Sequence, residues 1–171
     1  MAVTPVATGI DASAVLAAVK LVEITHVVTV PDTHQRTVMT ALGDSSLPTI
    51  RAATEEQVMG ICAGLWMSGH RPLALVQQLG LFASVNALRA FTHDQHVPLP
   101  ILAGLFGRDV SRPPDENIGS AVRLCVPLLD SLGIRCALVE GPQDARKIQP
   151  GLAAAFEEMI TSVVLLGAPT T

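Results

Sequence analysis

Short runs of aliphatic and β-branched residues alternate along the chain with stretches in which apolar positions recur every three or four residues. His26-Val27-Val28-Thr29-Val30 is a short β-branched run that stops at Pro31-Asp32, the pattern of a buried strand ending in a turn. Leu73 to Val76, Pro100 to Ala103, Ala137 to Val139 and Ser162 to Leu166 read the same way, and Thr49 to Ala53 is a weaker strand. Between them, Asp11 to Glu23 places Val15, Leu16, Val19 and Val22 at helical spacing behind Asp11 as a cap. Further helices are predicted over His34 to Leu42, Glu55 to about Met67, Ser84 to Thr92 and Ile118 to Leu132, the last kinked at Pro127. A helix interrupted near Pro150-Gly151 follows the Gly141-Pro142 turn. Gln77 to Phe82 reads as a loop centred on Gly80, and Gly104 to Asn117 as a long irregular segment of the kind that carries function. Strand and helix thus alternate about six times, with strands apolar on both faces. That predicts an α/β fold: an open parallel sheet of about six strands with helices on both faces.

The helix opening at Glu55 is the most informative element. Thr54 and Gln57 stand at capping-box spacing, so Glu55 is the first helical residue. Val58, Met59, Ile61, Cys62, Leu65 and Trp66 run round the whole circumference, which predicts a helix sandwiched in a core. Glu55 and Glu56 have two readings. Helix N-termini stabilise acids by about 0.3–1 kcal/mol, which accounts for both without any function. A carboxylate that follows a strand and opens a buried helix also lies where open α/β sheets take ligands. If the strands are all parallel, the loops after Val30, Ala53, Val76 and Ala103 share one edge. Asp32, Thr33, His34, Glu55, Glu56, Gln77 to Phe82 and Arg108 then form a single site.

Composition changes this picture in one respect. Of 171 residues only 15% are charged and 49% are hydrophobic, where ordinary soluble domains carry roughly 25% charge. The length suits one domain, and the shortage of charge implies that another chain covers part of its surface. A net charge of −4, no basic run and only four Phe and one Trp argue against nucleic acid. Met1 to Ile10 has no basic region before an apolar core, and no apolar run approaches a membrane span, so a soluble, cytoplasmic protein is expected. Cys62, Cys125 and Cys136 lack CxxC spacing and read as small buried hydrophobes in a reducing compartment. His93 and His96 lack a third ligand, so no metal site is expected in this chain. Neither GxGxxG, GxxxxGK[ST] nor GxSxG occurs. The chain has no phosphate site of its own.

Val30-Pro31-Asp32-Thr33, Glu55 with Gly60-Ile61-Cys62-Ala63-Gly64, Val76-Gln77-Gln78-Leu79-Gly80-Leu81 with Asn86-Ala87-Leu88, and Pro100-Ile101-Leu102-Ala103-Gly104 with a charged loop follow one another in register. In this order they resemble the pyrimidine-binding domain of thiamin-diphosphate enzymes, above all the α subunit of sulfopyruvate decarboxylase and the N-terminal part of phosphonopyruvate decarboxylase. The resemblance covers about Leu16 to Val139. It implies that residues 1–171 are a single pyrimidine-binding domain and that the diphosphate-binding domain, with its Mg2+, belongs to a separate β subunit. Thiamin diphosphate would be shared between the two chains in a homo- and hetero-oligomer.

Counting back from Gly64 aligns Glu55, not Glu56, with the family's glutamate. That carboxylate bonds the aminopyrimidine ring nitrogen of the cofactor and must be partly desolvated to share its proton. The resemblance further implies that Gln78, Gly80 and Leu81 border the cofactor and that Asp32, Thr33 and His34 face a small 2-oxo acid substrate, with a turn after a strand as the bland alternative for the first two. An anionic substrate group needs cations, for which His34, Arg36, Arg51, Arg108 and Arg112 are available. The sequence departs from the family twice. Leu79-Gly80-Leu81-Phe82-Ala83 replaces a Ser-Gly-Leu-Gly-Asn loop, and Glu116-Asn117 replaces a Gln-His pair. Decarboxylation is the implied reaction; carboligation, or a non-catalytic regulatory subunit of the same fold, are the alternatives.

Overall fold

The computed structural model describes residues 9–171. Of the stretch read for targeting signals, Met1 to Ile10, all but Gly9 and Ile10 lies outside the described residues. Six strands form one sheet in the order β2-β1-β3-β4-β6-β5: β1 His26–Thr29, β2 Thr49–Arg51, β3 Pro72–Gln77, β4 Leu99–Gly104, β5 Arg135–Val139 and β6 Thr161–Leu166. Every neighbouring pair is parallel. All strand C-termini therefore point to one edge. From β1 the chain first moves outward to β2 and then crosses back to β3, so the crevice beyond β1 and β3 is the point where winding reverses, the usual ligand position of such sheets.

Successive strand residues face opposite layers. Val27, Leu73, Leu75, Leu102 and Val164 pack under α1 (Ala12–Leu21), α2 (Arg36–Gly43) and α8 (Ile148–Glu157). Val28, Ala74, Val76, Ala103 and Leu165 pack under α3 (Glu55–Met67), α4 (Gln78–Ala83), α5 (Val85–Arg89), α6 (Ser120–Arg123) and α7 (Cys125–Ser131). The expected α/β architecture with helices on both faces is what the chain adopts. No described helix is long and apolar enough to cross a membrane.

Four local expectations are corrected. Gln77 to Phe82 is not a loop, because α4 starts directly after β3, with Gly80 inside it. The single helix over Ile118 to Leu132 is two: Pro127 has no N–H for the Arg123 carbonyl, and the chain breaks at Leu124 between α6 and α7. Pro150 does not interrupt α8, since it lies in the first turn, where a missing donor costs little. Finally, α3 is not sandwiched. Val58, Met59, Cys62 and Ala63 are buried, while Glu56, Gly60, Gly64 and Met67 face outward, and a Cβ at either glycine would meet nothing within 4 Å.

Candidate functional site

Thr54 caps α3 as expected: its hydroxyl accepts the Gln57 N–H at 3.3 Å. Gln57 reaches back one residue further than a standard capping box and accepts the Ala53 N–H at 3.1 Å. This reciprocal pair fixes the first turn, and with it the start of the Glu55 side chain. Glu55 is half-buried and Glu56 exposed, so the two carboxylates are separated by the helix twist into different environments. Glu55 lies across the backbone of α4. A Cβ on Gly80 would stand 2.2 Å from its Cγ, 2.8 Å from its Cβ and 2.9 Å from its Cδ. Only glycine leaves room for the acid. The carboxylate is engaged in no hydrogen bond with any described residue, so its oxygens are free to accept from a ligand. This part-buried carboxyl group, cradled by a glycine, is open to a ligand.

Next to it, beyond β1 and β3, a polar network occupies the switch point. Asp32 is 6% exposed. Its Oδ1 accepts from the Gln77 amide at 2.9 Å and the His34 N–H at 3.0 Å, and its Oδ2 from the Gln35 amide at 3.2 Å. Gln35 also donates to the Val76 carbonyl at 2.7 Å, while its own Oε1 is buried without a partner. The His34 ring donates through Nε2 to the Leu166 carbonyl at 2.9 Å. Gly104, at the end of β4, closes this cluster: a Cβ there would come within 2.7 Å of Asp32 Oδ2 and 2.9 Å of the His34 ring. Asp32 and His34 are thus held rigidly, and Thr33 between them is exposed. Sequence reading missed Gln35 and the Leu166 carbonyl. Gln35 carries no motif, and the end of β6 had not been counted among the site loops.

Other predicted site residues are placed differently. The Gln78 side chain donates to the Phe106 carbonyl at 2.6 Å and accepts the Phe106 N–H at 2.9 Å, a clamp on the segment after β4. Leu81 is wholly buried in the core layer under α4. Arg108 does not reach into the crevice: its side chain is 2% exposed and forms an ion pair with Glu140 at the end of β5. It also donates to the carbonyls of Asp109 and, at 2.7 Å, Arg112. Asn117 accepts the Asp109 N–H at 2.7 Å and donates to the Pro113 carbonyl at 3.0 Å. The long segment 104–117 is therefore stapled from inside. Arg112 pairs with Asp109 at 3.2 Å, and Arg36 and Arg51 are exposed.

No group of three or more His, Cys, Asp or Glu side chains among the described residues could hold a metal ion. Burial pushes the thiols of Cys125 and Cys136 up to about 12, and that of Cys62 higher still. None is poised as a nucleophile.

No family model matches the chain. It is similar to the sulfopyruvate decarboxylase of Methanosarcina acetivorans, with 39% identity over 66 residues, covering 39% of this chain and 17% of that protein. Similarity to the sulfopyruvate decarboxylase subunit alpha of Methanothermobacter thermautotrophicus is 31% over 102 residues, or 58% of this chain and 62% of that one. For the subunit alpha of Methanocaldococcus jannaschii it is 28% over 105 residues, or 61% of each. The chain spans less than two thirds of the length of each of these relatives. Among solved structures, a 2-oxoglutarate:ferredoxin oxidoreductase from Magnetococcus marinus matches over 92% of this chain and 29% of its own, with a TM-score of 0.68 at 16% identity, a likeness of fold. The resemblance read from the sequence is borne out by these relatives.

Proposed function

We propose that this chain is the α subunit of a two-chain, thiamin-diphosphate-dependent 2-oxo acid decarboxylase of the sulfopyruvate decarboxylase kind. Residues 1–171 serve as its pyrimidine-binding domain, and a β subunit brings the diphosphate-binding domain and its Mg2+. The observation that carries this reading is Glu55, half-buried over Gly80 at the strand-end edge with unengaged carboxylate oxygens. The printed names of the relatives support it, two of them as α subunits. So does the charge-poor composition, which calls for a covering partner.

When bound, thiamin diphosphate supplies the electron sink that lets a 2-oxo acid lose carbon dioxide. The chain's own contribution is proton handling and walls. Glu55 would hold the aminopyrimidine through a proton shared between its carboxyl group and the ring nitrogen, and closure of a second chain over the crevice would strip the remaining water from the site. Asp32, clamped by three donors, keeps the β1 turn rigid, and it presents Thr33 and the His34 ring toward the substrate space. Gln78 holds Phe106 and so fixes the opposite wall. The working assembly is a cytoplasmic hetero-oligomer.

The test is reconstitution. The chain is mixed with the chain that carries the diphosphate motif, thiamin diphosphate and Mg2+, and carbon dioxide release is followed from sulfopyruvate, phosphonopyruvate and pyruvate. Each chain alone should be inactive and the mixture active on at least one acid. A stable complex that releases carbon dioxide from none of them overturns the proposal.

A further inference from the structure

Gln35 breaks two local rules at once. It stands at the N-cap of α2, where Ser, Thr, Asp or Asn would accept a free helix N–H, yet its side chain makes no capping bond. The side chain turns inward instead and is wholly buried, with Oε1 left without a partner. An uncapped helix end and a stranded buried acceptor both lower stability. Rules of this kind are broken where a site needs the residue.

The amide reaches two other elements. Nε2 donates one hydrogen to Asp32 Oδ2 at 3.2 Å and the other to the Val76 carbonyl at 2.7 Å. Turning the amide over would set Oε1 against both of these acceptors, so its orientation is fixed. Gly104 closes on the same side chain: a Cβ there would stand 3.1 Å from Gln35 Cγ and 2.7 Å from Asp32 Oδ2. The two oxygens of Asp32 are unequal. Oδ1 accepts from the Gln77 amide and the His34 N–H, whereas Oδ2 accepts from Gln35 alone. A carboxylate oxygen takes about two hydrogen bonds, so Oδ2 is the one with capacity left. Asp32 lines the open cavity at this edge, and Gln35 decides where that spare capacity faces.

We propose that Gln35 is a positioning residue that acts through Asp32: it holds Oδ2 in the orientation that receives a hydrogen-bond donor from the bound reactants. Its second bond anchors this lock to β3 at Val76, the residue before Gln77 and close to the start of α4, whose Gly80 seats Glu55. The β1 turn and the Glu55 seat are thereby fixed to the same strand. What is bound there rests on the decarboxylase reading; the lock between Gln35 and Asp32 does not.

Two measurements test the lock. In the enzyme reconstituted from both chains with thiamin diphosphate and Mg2+, Gln35→Met keeps the volume and removes both donors. It should lower kcat about tenfold to a hundredfold and leave KM for thiamin diphosphate within twofold, because Glu55 and Gly80 are untouched. In an Asp32→Ala background, where no Oδ2 is left to orient, the same substitution should change the residual kcat less than twofold. Full kcat with Gln35→Met, or equal losses with and without Asp32, overturns the proposal, since a residue that only supports the fold acts alike in both backgrounds. In the isolated full chain, the side-chain amide hydrogens of Gln35 should exchange with solvent at least tenfold more slowly than those of the exposed Gln95, and Asp32→Ala should speed their exchange about tenfold. Exchange as fast as at Gln95, or indifferent to Asp32, overturns the lock even where Gln35→Met does not assemble. If the unsubstituted complex turns over no 2-oxo acid, the decarboxylase reading fails, and the exchange measurement still decides the lock.

Discussion

Substituting Gly80 by alanine probes the seating of Glu55 without any assumption about chemistry. An added Cβ would lie 2.2 Å from Glu55 Cγ and 2.8 Å from its Cβ, against a normal carbon–carbon contact of about 3.5–4.0 Å. Rotation about χ1 can swing Cγ away. It does not move Cβ, which is fixed to the backbone of α3. The two helices must therefore separate by roughly 1 Å, an overpacking that costs about 1–3 kcal/mol. Alanine also returns about 0.5–1 kcal/mol as a better helix former at a position inside α4. The net expectation in the parent protein is a destabilisation of up to about 2 kcal/mol, read as a lower urea midpoint with an unchanged slope. With Glu55→Gly already present, Cβ, Cγ and Cδ are all gone and the clash with them, so the same Gly80→Ala change should be neutral or stabilising. The coupling in this double-mutant cycle is expected at about 1–2 kcal/mol. Additive effects, with no coupling beyond about 0.3 kcal/mol, would refute the cradle. In a reconstituted enzyme, Gly80→Ala should also lower kcat by about a hundredfold, since a misplacement of about 1 Å at the reacting group costs that much.

Three further outcomes are expected. Arg108→Ala should cost about 2–3 kcal/mol, below the figure for a fully buried pair because Glu140 is 29% exposed, and should open segment 104–117 to limited proteolysis. Gln78→Ala, which strands both the N–H and the carbonyl of Phe106, should destabilise by about 1–3 kcal/mol in thermal melts. Burial raises the thiols of Cys125 and Cys136 to about 12, so only the unfolded chain ionises them between about pH 9 and 12. Stability should hold below pH 9 and fall as pH rises through that window, and thiol reagents at pH 8 should label the protein only after unfolding.

The fold was legible because its central strands β3, β4 and β6 are dominated by apolar residues and its helices carry the 3.6-residue period, so the layers followed from pattern alone. Glu55 was legible through the capping box before it: Thr54 and Gln57 mark the first turn whatever the tertiary context. What pattern concealed came from residues that serve more than one neighbour. Gly80 reads as a helix breaker, yet it sits inside α4 because Glu55 needs the space where its side chain would be. Pro127 reads as a kink and in fact divides two helices, while Pro150, three residues into α8, is harmless. The apolar girdle of α3 suggested enclosure on all sides, but Gly60 and Gly64 contribute no side chain, and that face is open. Arg108 and Arg112 could not be told from Arg36 and Arg51 by sequence, since Glu140 lies 32 residues from Arg108.

The most direct measurement is carbon dioxide release from sulfopyruvate by the reconstituted two-chain enzyme carrying Glu55→Gln. The amide preserves size and helix but cannot exchange a proton with the ring nitrogen, so turnover should fall by a hundredfold or more while complex formation and thermal stability stay as in the parent. Full turnover with Glu55→Gln would contradict the account at its centre.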